Sequence, residues 1–202
     1  METMGKNQAL LLGRAGEEPK LSHLNHGVSY YVCPLEVERL SGTVDILNVV
    51  ASEELLARCP VRPGEDYLIT GEVRSFNNRS GVGSRLVITF FARTLTPSRQ
   101  EHDNRLELWG ALCKAPVLRR TPLGREICDL LLAVNRPYGR SDYLPCIAWG
   151  SLARACGELS VGDRVHITGR LQSRTYRKLV GDREEERTAY EISVVSLEQA
   201  NL

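Results

Sequence analysis

Between Arg105 and Lys178 the chain carries 13 Lys and Arg against six Asp and Glu, whereas residues 1–100 hold 11 of each sign. A local excess of this size is suited to neutralising phosphates, and it is hidden inside a whole-chain net charge of +1. The compensating acid is concentrated in Asp182, Glu184, Glu185 and Glu186, a stretch that reads as one exposed hairpin tip. The other reactive residue types form no constellation. His23 and His26 lack further ligands at metal spacing, Ser, Cys and His fall in no nucleophile–base pattern, and no Gly-rich loop with Lys is present to cradle a phosphate. We therefore expect no catalytic residue, no metal, no cofactor and no enzymatic activity. The six cysteines (33, 59, 113, 128, 146 and 156) make no C-x-x-C pair and mostly occupy apolar positions, as reduced, buried thiols do. There is no run of about 18 apolar residues and no cleavable leader pattern, so the expectation is a cytoplasmic protein without a membrane partner.

The elements that must position these charges are encoded twice. A shift of 97 places Asn7, Gly13, Gly27, Arg39, Gly42 and Asp45 on Asn104, Gly110, Gly124, Arg136, Gly139 and Asp142. A slip of one then puts Gly64, Thr70, Gly71 and Ser75 on Gly162, Thr168, Gly169 and Ser173, and a further slip of four puts Leu95 on Leu197. Both slips fall where loops are expected, as in a duplication that has accumulated length changes. Two domains follow, residues 1–99 and 100–202.

Within the second copy, Arg105–Leu112, Glu126–Asn135 and Asp142–Trp149 read as strands, Ser151–Cys156 as a short helix closed by Gly157, and Asp163–Tyr176 and Thr188–Leu197 as two more strands. The first copy repeats this order over Gln8–Leu12, Ser29–Val37, Asp45–Ala51, a helix at Glu53–Arg58, Asp66–Ser75 and Arg85–Leu95, with a Gly-rich loop at 77–83. Three strands, a short helix and two more strands in about 100 residues match the OB-fold. The predicted class is all-β: two tandem five-stranded OB-fold barrels, each with a short helix between strands 3 and 4.

The second copy resembles bacterial single-stranded DNA-binding proteins through Asn104-Arg-Leu-Glu-Leu-Trp-Gly110, Leu132-Ala-Val-Asn-Arg136, Asp142-Tyr-Leu-Pro-Cys-Ile-Ala-Trp-Gly150 and Gly162-Asp-Arg-Val-His-Ile-Thr-Gly-Arg-Leu-Gln-Ser-Arg-Thr-Tyr176. The first copy looks like a diverged member of the same family. The resemblance implies that bases stack on aromatic rings while cations follow the phosphates. It assigns the rings to Tyr143, Trp149 and Tyr176, with Tyr138 as a weaker loop candidate, each weighed against ordinary packing or turn roles. Arg119, Arg120, Arg136, Arg170, Arg174, Arg177 and Lys178, read as lying in loops or beside the aromatics, are the phosphate-contact candidates; singly each is also a plausible solvated surface residue. The corresponding places in the first copy are Ile46, Ser52 and Asn78, none aromatic, so that copy is expected to be mainly structural, with Arg39, Arg74 and Arg79 as a conceivable extension of the strand path.

The resemblance further implies single-stranded DNA as partner in replication, repair or recombination, with RNA left open, and a homodimer that would assemble four barrels. Leu11 and Trp109 on the first strands are expected to help form that interface. Ending at Leu202 after the last strand, the chain reads as a paralogue without the family's acidic tail. Two other readings stay open here: a primosomal-type OB protein, and a scaffold whose barrels serve only protein interactions.

Overall fold

The computed structural model describes residues 7–79 and 85–200, apart from the side chain of Tyr138. Residues 80–83 of the Gly-rich loop thus lie outside the described part. The first half contains β1 (Asn7–Ala15), β2 (Lys20–Asn25), β3 (Val28–Glu38), β4 (Val44–Ser52), α1 (Glu53–Arg58), β5 (Asp66–Asn77) and β6 (Leu86–Pro97). The second repeats it with β7 (Asp103–Leu112), β8 (Val117–Arg120), β9 (Glu126–Asn135), β10 (Ser141–Trp149), α2 (Gly150–Gly157), β11 (Arg164–Val180) and β12 (Arg183–Gln199).

In each half five strands close on themselves. β1 pairs with β3, β3 with β4, β4 in parallel with β6, β6 with β5, and β5 back with β1. The second barrel closes identically through β7, β9, β10, β12 and β11. Inward residues such as Leu35, Leu47, Tyr67 and Phe90, or Leu108, Leu132, Leu144 and Ile167, fill the two interiors. Between β4 and β5, α1 starts where the Ser52 hydroxyl accepts the Leu55 amide at 3.2 Å and has Glu53 and Glu54 in its first turn, where carboxylates favour the helix dipole.

The glycines shared by the two copies serve two purposes. Gly27 and Gly124 adopt φ of +78°, which a tight turn requires and which a side chain disfavours. Gly71 and Gly169 instead lie at register shifts in the β5–β6 and β11–β12 ladders, where a Cβ would collide with the carbonyl oxygen of Phe91 or Ser193. Gly169→Ala is therefore expected to destabilise the chain by about 1–3 kcal/mol, measured by urea unfolding; an unchanged midpoint would mean that the backbone yields freely there.

Two departures from the sequence reading concern charge. The strands β2 and β8 were not anticipated, and Arg119 and Arg120 consequently lie on β8, paired with β9, rather than in a loop. The acidic run does lie at the exposed end of a hairpin that turns at Gly181 and Asp182, but Glu184–Glu186 belong to its second strand rather than to a loop. β11 and β12 extend as one long ladder with Arg177 opposite Glu186, Lys178 opposite Glu185 and Leu179 opposite Glu184, so the acid faces the basic run directly.

The barrels are joined by their first strands. β1 and β7 run antiparallel from Asn7 opposite Leu108 to Leu12 opposite Asp103, which merges both barrels into one 12-stranded sheet. Leu11, expected at a subunit surface, is only 1% exposed because it faces the core; the β1 and β7 edges are consumed within the chain.

Candidate nucleic-acid interface

The alternation of β10 decides where its aromatics point. Asp142, Leu144, Cys146 and Ala148 are buried, while Tyr143 and Trp149 remain 45% and 41% exposed at the two ends of the strand. Six residues of strand separate them by about 20 Å on the same face. Core packing, the rival explanation for these rings, does not account for side chains this open. Tyr176 is half-buried far out on β11, and the Arg174 guanidinium carbon lies 5.6 Å from its ring centroid, within cation–π range. Tyr138 belongs to a 3-10 turn at Pro137–Gly139, but its side chain lies outside the described residues.

The proposed cations are divided among different settings. Arg119 makes a two-pronged pair with Asp129 at 2.5 and 3.2 Å, and Arg120 reaches Glu126 at 3.4 Å. Arg177 approaches Glu184 at 3.5 Å on the long hairpin, whose segment 174–187 holds five basic and four acidic residues. Lys178 is exposed on the same arm. Arg170 is half-buried on β11, and its Nε is buried without a hydrogen-bond partner among the described residues.

Arg136 has a different setting. Its guanidinium pairs with the buried carboxylate of Asp142 and donates to the carbonyl of Ser75 at 3.1 Å, across the joint between barrels. Asp142 in turn accepts the Ser75 amide at 2.6 Å, and the Ser75 hydroxyl accepts the Tyr143 amide at 2.7 Å. The mirror image is complete: Arg39 pairs with Asp45 and donates to the Ser173 carbonyl at 3.1 Å, and Asp45 accepts the Ser173 amide at 2.7 Å. A buried carboxylate is costly unless paired and hydrogen-bonded, and here each accepts from an arginine and from a serine amide of the other barrel. Arg136 and Arg39 thus hold the joint, the first where Tyr143 meets Ser75 and the second where Ile46 meets Ser173. The shared Arg, Asp and Ser of the two copies were the sequence signal for this cluster.

The cysteines lack nucleophilic character. Burial pushes the thiols of Cys33 and Cys156 up to about 11 and that of Cys146 higher still, so they stay protonated near neutral pH. Among the described residues no group of three or more His, Cys, Asp or Glu is placed to hold a metal ion.

Comparison with known proteins is consistent with this geometry. Residues 103–199 match the model of the Single-strand binding protein family. A single-stranded DNA-binding protein of Halalkalibacterium halodurans is 34% identical over 87 residues, covering 40% of this chain and 52% of that protein. Single-stranded DNA-binding protein 2 of Listeria innocua is 36% identical over 87 residues, covering 40% and 55%. The chain thus spans about half the length of these curated relatives. The crystal structure of the single-stranded DNA binding protein from Thermus aquaticus superposes on 98% of this chain and 94% of its own, with a TM-score of 0.78 at 23% identity, which establishes the shared tandem fold.

Proposed function

We propose that this chain, whose second barrel matches the model of the single-strand binding protein family, binds single-stranded DNA without strong sequence preference. The observation that carries the reading is the solvent-facing pair Tyr143 and Trp149 on one face of β10. Rings placed in this way stack any base, because every base has a π-face, and no device for reading base edges accompanies them. Tyr138, Tyr176, Arg119, Arg120, Arg170, Arg174, Arg177 and Lys178 supply further ring and phosphate contacts, and Arg136 acts through the joint that positions Tyr143. The setting is bacterial DNA replication, repair or recombination in the cytoplasm, and no helix among the described residues is long and apolar enough to cross a membrane. The tandem barrels divide near residue 99, and no enzymatic role belongs to this reading.

Titration with oligo(dT) at two salt concentrations tests it through quenching of tryptophan fluorescence. Affinity falls as salt rises, with a log–log slope of about −0.7 per phosphate neutralised. Equal affinity at both salts, or a preference for duplex, overturns the proposal, and the same titration with oligo(U) separates DNA from RNA.

We also propose a symmetric homodimer, giving four barrels. Trp109, stacked on His166 at 4.1 Å on the sheet where β7 and β11 pair, offers the aromatic contact for a second copy. Light scattering at micromolar concentration should return twice 22.6 kDa; a monomer mass would exclude the dimer.

A further inference from the structure

The first barrel has lost the rings of the second, yet its outer face is not featureless. Tyr30 on β3 lies directly opposite Ser52, the position that corresponds to Trp149. Phe91 on β6 lies beside Val50. The matching positions in the second barrel are Ile127, opposite Trp149, and Ser193, beside Ile147. Each barrel therefore has rings where the other has none.

These rings form one cluster. Tyr30 and Phe91 have centroids 5.6 Å apart, His23 of β2 stacks on Tyr30 at 5.1 Å with an interplanar angle of 9°, and the Arg74 guanidinium carbon sits 3.8 Å above Phe91. Phe76, two residues along β5, is 53% exposed. They line a groove of about 840 Å³ that continues across the joint to Arg140 and Ser141 of the second barrel. Its lining includes three arginines and a histidine and no carboxylate. Arg74 and Arg136 are held by Glu72 and Asp142, whereas Arg140 is exposed and makes no ion pair among the described residues. Ser75, also in the lining, accepts the backbone amide of Tyr143, so the groove begins where the second barrel's ring face ends.

We propose that this groove is a second, non-equivalent stacking site, which receives the single strand as it leaves Tyr143. Bases lie on the exposed Phe76 and against the outer edges of the His23–Tyr30–Phe91 stack, and Arg140 meets the phosphates. An acid-free groove lined with rings and guanidinium groups complements unpaired nucleic acid in both stacking and charge. The proposal rests on single-strand binding by the second barrel, and its test separates the two.

The experiment uses the full chain and oligo(dT) of two lengths, about 12 nucleotides to fill one barrel and about 30 to reach both. Tyr30→Leu with Phe91→Leu leaves affinity for the short oligonucleotide within twofold. For the long one, affinity falls roughly tenfold or more and the number of nucleotides occluded shrinks. Tyr30→Phe retains the wild-type values. Arg140→Ala, which disturbs no observed pair, weakens only the long oligonucleotide and lowers its salt slope. Melting temperature confirms that each variant is folded. In wild-type chain, 5-iodouracil at the far end of the long oligonucleotide crosslinks to Tyr30 or Phe91. Unchanged long-oligonucleotide affinity in folded variants, or crosslinks absent from β3 and β6, overturns the proposal and leaves a protein partner as the occupant of the groove. Loss of short-oligonucleotide binding by wild-type protein would instead refute the reading of the second barrel.

Discussion

Replacing Tyr143 and Trp149 together by alanine is expected to weaken oligo(dT) binding by about 2–6 kcal/mol, at about 1–3 kcal/mol per stacked base, which is at least a thirtyfold rise in Kd. Fluorescence anisotropy of a labelled oligonucleotide measures this without relying on the tryptophan that has been removed. The variant should stay folded with a moderate loss of stability, because each ring is partly covered and Trp149, at the N-cap position of α2, makes no side-chain capping hydrogen bond. A double variant that stays folded and binds as tightly as wild type would remove the foundation of the proposed function. Tyr176→Ala, with a half-buried ring and a neighbouring arginine, should add a smaller loss.

Asp142→Ala should produce the largest loss of stability at the joint. The change strips the Arg136 guanidinium of its carboxylate and the Ser75 amide of its acceptor at a position 1% exposed. Breaking a buried pair by removing one partner costs about 3–5 kcal/mol, since the remaining charge stays desolvated. Asp45→Ala should match it through Arg39 and Ser173. Urea unfolding of both variants checks the pair. If Asp142→Ala is neutral, Arg136 does not depend on that carboxylate, and a direct phosphate role for it gains ground. Because Ser75 also accepts the Tyr143 amide, Asp142→Ala should weaken oligo(dT) binding in addition to lowering stability.

The sequence carried the barrel strands well because they set a buried side against an exposed one, and α1 through its cap and the half-buried Leu55 and Leu56. Glu53–Arg58 and Glu126–Asn135 emerge with the anticipated bounds, since a serine cap and an apolar run mark them. β2 and β8 escaped because every residue in them is exposed, leaving no alternation to read. The strand character of the acidic run was missed for a related reason: Glu184–Glu186 lie at the exposed end of the expected hairpin, in the outer part of a ladder that has left the core, where charge no longer signals a loop. Tyr143 and Trp149 were legible from their place in the repeat. The joint was visible as shared Arg, Asp and Ser residues, but their pairing across barrels required coordinates. The first barrel's ring cluster was hidden because comparison position by position cannot detect an aromatic that has moved to the adjacent strand, as Tyr30 has relative to Ser52.

The strand-to-strand joint at β1 and β7 also changes what dilution can do. Only residues 98–102 separate β6 from β7, so the two barrels meet at the high effective concentration of a short tether, in the millimolar range, whatever the amount of protein in solution. A pair of identical subunits would separate at low concentration and would carry every substitution twice. Here the two sides of one interface are written in different stretches of chain, which lets Ile127 stand where its counterpart is Tyr30. On the proposed reading, a strand crossing one chain would meet two dissimilar surfaces in an order fixed by that chain.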